Sequence, residues 1–215
     1  SRRVEGFEAL ARWEGNEGRG APVGDTQGLA SSMLIQAAES LVGFRAVARN
    51  PNLFVQVNIT SLDLEDDQMI ALISALRSGH NLAPGSIRLE LTEQDALRDT
   101  QQTLNRLNDL KAAGAGIVLD DFGSGHSSFQ WLADLPADAL KVDASLIKQI
   151  DNPRVETILE ALTLMARRLG MTSTAEGVEA EAMMPRLRTL GFDHAQGFAL
   201  GRPMSENRAE AFLRT

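Results

Sequence analysis

Gly116-Ile117-Val118-Leu119-Asp120-Asp121-Phe122-Gly123 runs from small and apolar residues into two adjacent carboxylates, then an aromatic residue and a glycine able to turn sharply. An apolar run without polar alternation is what a strand buried on both faces of a parallel sheet requires. The pattern recurs along the chain. Residues 4–12, 53–59, 86–92, 139–143, 171–175 and 194–200 also read as strands, carrying Glu8, Asn58, Glu90, Lys141, Glu176 and Gln196 in or beside them.

Helical patterns lie between these segments. Val155, Ile158, Leu159, Leu162, Met165, Ala166 and Leu169 recur three and four apart, which predicts a helix with one apolar face and Gly170 placed to end it. Similar helices are expected to end near Gly79, Gly114 and Gly191, and Met183, Met184, Leu187 and Leu190 read as helical core. Alternating strands and helices predict an α/β fold with a parallel sheet, closed as a TIM-like (β/α)8 barrel or open and doubly wound. Polar residues at nearly every strand end favour the barrel, which builds its site from many strand ends rather than from one crevice. Seven strands are counted, one short of eight, and the glycine-rich residues 14–27 read as a loop.

With 215 residues, 43% of them hydrophobic, the chain is long enough for one α/β domain, and a single domain over residues 1–215 is expected. It has no cysteine, so a metal must be held by oxygen or imidazole. The formal charge of -8 and pI near 4.9 argue against a nucleic-acid duplex partner, and an anionic substrate would need a local positive site. No apolar stretch approaches a membrane span, and Ser1-Arg2-Arg3 is not followed by a signal-peptide core. The expectation is a cytoplasmic domain without membrane contact of its own, within a parent protein that could itself be tethered.

Adjacent Asp120 and Asp121 suit a bridged pair of divalent ions, although strict strand alternation would send them to opposite faces unless a turn begins at the second. An Asp helix cap plus a solvated turn is the competing local reading. Glu90 with Glu93, and Glu176 with Glu179, form two acid pairs at strand ends. Helix N-termini also attract acids, but two such pairs beside the Asp pair favour a site. Lys141 alternates with Leu140 and Val142, so it would point away from them, and a buried ammonium needs acidic company. Residues 122–128 read as a mobile lid, while His80, His126 and His194 form no paired metal motif.

Glu8-Ala9-Leu10 with Arg12-Trp13, Val57-Asn58, Glu90-Leu91-Thr92-Glu93, Asp120-Asp121-Phe122-Gly123, Lys141-Val142-Asp143, Ala175-Glu176-Gly177-Val178-Glu179 and Gln196-Gly197 together resemble the EAL-domain family of bacterial cyclic di-GMP phosphodiesterases, from the first residues to Pro203. The resemblance implies a TIM-like barrel, two Mg²⁺ or Mn²⁺ ions, and hydrolysis of cyclic di-GMP to linear pGpG. Glu8, Asn58, Glu90 and Asp120 would hold one ion, and Asp120, Asp121 and Glu176 the other. Lys141 would orient the attacking water, and Glu176 would serve as ligand, general base or both. Glu93 would anchor the lid and Glu179 would support the ligands. Leu10, Arg12, Gln196 and Pro203 would contact substrate. A homodimer is implied, as are sensory or cyclase domains elsewhere in the parent protein.

The chain departs from the family pattern in three places. It begins without the family's first strand, residues 22–29 abbreviate a longer family stretch, and Ser124 and His126 stand where Thr and Tyr are usual. The alternative to an active enzyme is a catalytically silent cyclic di-GMP receptor. A barrel acting on another phosphate or sugar is a third reading, resting on fold analogy alone.

Overall fold

The computed structural model describes residues 3–11, 28–97, 100–124 and 129–214. Along the chain run β1 (Gly6–Ala9), α1 (Leu29–Ala48), β2 (Phe54–Asn58), α2 (Ser61–Leu64), α3 (Gln68–Gly79), β3 (Ile87–Thr92), α4 (Glu93–Ala96) and α5 (Thr100–Ala112). They are followed by β4 (Gly116–Phe122), α6 (Phe129–Asp134), β5 (Ala139–Val142), α7 (Ala144–Ile147), α8 (Pro153–Arg168), β6 (Thr172–Ala175), α9 (Met184–Thr189), β7 (His194–Ala195) and α10 (Glu206–Leu213). The strand order is the chain order, β1 to β7. That order separates the two α/β alternatives, because a doubly wound sheet permutes its strands about a switch point and a barrel does not. Among the described residues there are seven strands, as the sequence predicts.

The chain forms two compact units. Ser1–Glu90, Asn108–Gly116 and Met204–Thr215 make the first, and Leu91–Leu107 with Ile117–Pro203 make the second. In the first, β1 and β2, then β2 and β3, pair in parallel. Leu34, Ala38 and Leu41 of α1 are buried, the Phe7 and Phe44 rings meet at a tilt of 49° with centroids 4.9 Å apart, and α10 packs on α1. Arg45 ties α1 to the sheet: its Nη2 donates to Leu53 O at 2.6 Å and to Ser86 Oγ at 2.7 Å. Burial pulls the Arg45 pKa down from its ordinary value, and these acceptors replace part of the lost hydration.

In the second unit, β4 pairs with β5, β5 with β6, and β6 with β7, all parallel. The amphipathic helix expected around Val155 is α8, with Asn152 Oδ1 accepting from Arg154 N at 3.0 Å, Pro153 in its first turn, and Gly170 at φ 79° just beyond its end. Its Val155, Leu159, Leu162 and Ala166 are buried, whereas Ile158 and Leu169 lie exposed at the margins of the stripe. Met183 and Met184 are half-buried rather than core, because the chain passes through a single 3-10 turn there and only Leu187 and Leu190 face inward.

The last strand is far shorter than residues 194–200 suggest. After His194 and Ala195 the backbone leaves the sheet to bond the loop after β6: Val178 N donates to Gln196 O at 3.0 Å, and Ala199 N to Val178 O at 3.0 Å. Gly197 permits this approach, since a Cβ there would lie 2.3 Å from the backbone N and O of Val178, and its φ is 157°. Gly197→Ala should therefore lower stability by about 3 kcal/mol, or roughly 6–12 °C in Tm, because the opposing atoms are backbone and cannot rotate away. Thermal unfolding followed by circular dichroism measures it, and an unchanged Tm would show that the two loops can separate at no cost.

Candidate functional site

Three of the strand ends lead into a one-turn helix capped by a side chain. Thr60 and Asp63 form a reciprocal capping box at α2, Thr92 Oγ1 accepts from Asp95 N at 3.2 Å at α4, and Asp143 Oδ1 accepts from Ser145 N at 2.9 Å at α7. Each cap satisfies orphan amides and stops the strand at a defined residue, so the polar side chain just before it is held in place.

In the second unit the decisive distortion lies at the end of β4. Leu119 pairs with Leu140 and Phe122 with Val142, so β4 spends one more residue than β5 over this interval. The extra residue is a β-bulge. Asp121 takes φ 56°, a left-handed conformation uncommon for a residue with a Cβ, and its carbonyl accepts from Ser124 N at 3.2 Å and Ser124 Oγ at 2.8 Å. Plain alternation would separate Asp120 from Asp121, but the bulge turns both to one side, and Asp120, Asp121 and Glu176 each place a carboxylate oxygen within 4.8 Å of the others.

Lys141 projects from β5 into this cluster. Only 1% exposed, it sets Nζ 3.2 Å from Asp120 Oδ1 and 2.8 Å from Glu176 Oε1. Asp120 Oδ1 is buried and accepts no hydrogen bond among the described residues, so the lysine contact is electrostatic rather than well aligned. Three carboxylates against one ammonium leave a formal charge of -2. Hard oxygen donors with surplus negative charge fit Mg²⁺ or Mn²⁺ and exclude soft-metal chemistry. An octahedral Mg²⁺ spans at most about 4.2 Å between its oxygens, so modest side-chain closure from the observed spread would let the three carboxylates share one ion.

Glu93 opens α4, is buried, and has Oε2 without a hydrogen-bond partner among the described residues. Its expected lid partners at residues 125–128 lie outside the described residues, as does Arg12. Glu179 stands on the surface, where Oε1 meets Lys148 Nζ at 3.1 Å. Gln196 is tied to the end of β6 through its backbone, N donating to Ala175 O at 2.8 Å. Pro203 is exposed, and between these two the exposed Phe198 ring lies 4.8 Å from the Arg202 guanidinium carbon.

In the first unit Asn58 Nδ2 donates to Glu8 Oε1 at 2.8 Å, which orients the amide so that its oxygen, a hard acceptor, is turned from the Glu8 contact. Glu90 is 1% exposed, and its Oε1 accepts from Gln56 Nε2. Leu10 is exposed just beyond β1. Gln56 is the residue that sequence reasoning misses. Its signal is the strand period of two, which places it on the same face of β2 as Asn58.

Among known proteins, the family model described as EAL domain matches residues 1–203. The chain is 34% identical over 215 residues to the bifunctional diguanylate cyclase/cyclic di-GMP phosphodiesterase MucR of Pseudomonas aeruginosa, covering 93% of this chain and 30% of that one. The structure resembles the PaMucR phosphodiesterase in complex with c-di-GMP, with a TM-score of 0.75 and 33% identity over 84% of this chain and 78% of that one. It also resembles the EAL domain of Mycobacterium smegmatis DcpA, with a TM-score of 0.79 and 30% identity over 87% and 85%. This chain thus spans less than a third of the length of MucR.

Proposed function

Because the chain belongs to the EAL domain family, a family of cyclic di-GMP phosphodiesterases with TIM-barrel structures, we propose that it hydrolyses cyclic di-GMP to linear pGpG with two Mg²⁺ or Mn²⁺ ions, lowering this messenger. The observation that carries the reading is the joint placement of Asp120, Asp121 and Glu176 around a buried Lys141. Surface acids need no buried ammonium among them, whereas an anionic substrate brought to an acidic protein does need fixed positive charge.

Carried over from the family motifs, Glu8, Asn58, Glu90 and Asp120 serve one ion, and Asp120, Asp121 and Glu176 the other. Divalent ions held by these residues would supply Lewis acidity toward water and the scissile phosphate. Lys141, preorganised between Asp120 and Glu176, orients the water and offsets negative charge growing on the phosphate. Glu176, held by Lys141 at 2.8 Å, serves as ligand and accepts the proton of that water. Glu93 keeps the lid over the site and Glu179 supports the ligands from outside. Leu10, Arg12, Gln196 and Pro203 contact the substrate's phosphates, guanines or backbone.

Residues 1–215 act in this reading as one EAL-type domain of a cytoplasmic homodimer, regulated by sensory or cyclase domains of a longer protein. No helix among the described residues is long and apolar enough to cross a membrane.

Purified protein supplied with Mg²⁺ or Mn²⁺ should convert cyclic di-GMP to pGpG, followed by chromatography of the nucleotides. Ca²⁺ should inhibit, because the larger ion tolerates irregular geometry and relaxes the strict octahedral placement on which in-line attack depends. Metal-replete protein that binds the cyclic dinucleotide tightly without ever releasing pGpG would refute the proposal and identify a receptor instead.

A further inference from the structure

We propose that Gln56 is a positioning residue for Glu90: its side-chain amide holds the Glu90 carboxylate by one oxygen and presents the other to a divalent cation. This rests on the reading of Glu90 as a metal ligand. Four observations carry it. Gln56 and Asn58 are two apart on β2 and share a face, while the intervening Val57 is fully buried and points to the other. The β2–β3 register sets Gln56 opposite Arg88 and Asn58 opposite Glu90, yet it is Gln56 Nε2 that donates to Glu90 Oε1. The Glu90 side chain is therefore drawn diagonally along the sheet, a reach open to long side chains. Finally, the Asn58 amide is already committed to Glu8, so β2 furnishes one amide donor for each of Glu8 and Glu90.

A neutral donor suits that task. Lysine or arginine at position 56 would orient Glu90 equally well but would cancel the negative charge that attracts a cation, whereas an amide fixes the rotamer and leaves the charge in place. Water cannot substitute freely, because Glu90 is 1% exposed. Arg88, the register partner of Gln56, instead lies with its guanidinium carbon 3.4 Å from the centre of the Phe54 ring.

The test is Mn²⁺ binding to the full chain, by calorimetry and electron paramagnetic resonance, at the site that Glu90→Ala eliminates. Gln56→Met keeps the side-chain length and removes the donor. It should raise the Mn²⁺ Kd about ten- to a hundredfold, with the rate of cyclic di-GMP hydrolysis recovering toward that of the parent at saturating Mn²⁺. Gln56→Leu, which also lacks the donor, must behave the same way. Val57→Ala, on the opposite face of the same strand, should lower Tm and leave the Mn²⁺ Kd unmoved, which separates positioning from general weakening of β2. If the parent binds Mn²⁺ and both Gln56 variants bind it as tightly, the assignment of Gln56 falls alone. A parent chain that bound no Mn²⁺ would overturn this assignment and the metal-dependent reading together.

Discussion

Glu176→Ala should reduce hydrolysis of cyclic di-GMP at least about a thousandfold while leaving a folded protein. The side chain occupies two positions of need at once. It contributes one of the three carboxylate oxygens clustered within 4.8 Å, and it is the nearer of the two anions against the Lys141 ammonium, at 2.8 Å as compared with 3.2 Å for Asp120. Its loss would remove the proposed ligand and proton acceptor, and would let Lys141 shift toward Asp120. Glu8→Ala should be comparably severe for a different reason, because Asn58 then loses the carboxylate that orients its amide. Steady-state rates under saturating Mn²⁺ decide the matter. Residual activity within tenfold of the parent in Glu176→Ala would sink the proposed role.

Lys141→Met should be the most destabilising single substitution in the cluster when divalent ions are withheld. The methionine fills nearly the same volume, so the dominant effect is electrostatic. Asp120 and Glu176, whose side chains are only 13% and 17% exposed, lose the ammonium that compensates them. Stripping one partner from a buried ion pair costs about 3–5 kcal/mol, which for a chain of this size is roughly 6–20 °C in Tm. Added Mg²⁺ should then raise the Tm of Lys141→Met by more than it raises that of the parent, since a cation bound only to the folded state stabilises by mass action and here also relieves the repulsion. Differential scanning calorimetry with and without Mg²⁺ measures both. Equal Mg²⁺ shifts in the two proteins would show that Lys141 does not face the cation site.

Much of this architecture is legible in the residues themselves. The apolar runs locate the strands, because burial on both faces leaves no room for alternation, and α8 announces itself through its three-and-four spacing and the Asn152-Pro153 start. Lys141 is legible for the same reason in reverse: a charge between Leu140 and Val142 must point away from them, and the structure finds it enclosed by acids. The length of β7 is not legible, because residues 194–200 have strand composition throughout, while the competing hydrogen bonds that Gln196 and Ala199 make are to Val178, well upstream in the chain. The half-burial of Met183 and Met184 escapes in the same way, since periodicity cannot tell a 3-10 turn from the start of a helix.

By itself the amino-acid order determines that acids and one lysine stand at the ends of strands, that any metal must be held by oxygen or imidazole rather than thiolate, and that its motifs are those of the EAL domain family. Whether neighbouring acids share a ligand position was decided only in three dimensions. Asp120 and Asp121 meet because β4 carries one residue more than β5 and Asp121 accepts a left-handed backbone, a distortion imposed by pairing with another strand rather than by local propensity. Glu90 likewise leans on Gln56 because strands β2 and β3 pair in one register, and register belongs to the sheet and not to either strand alone.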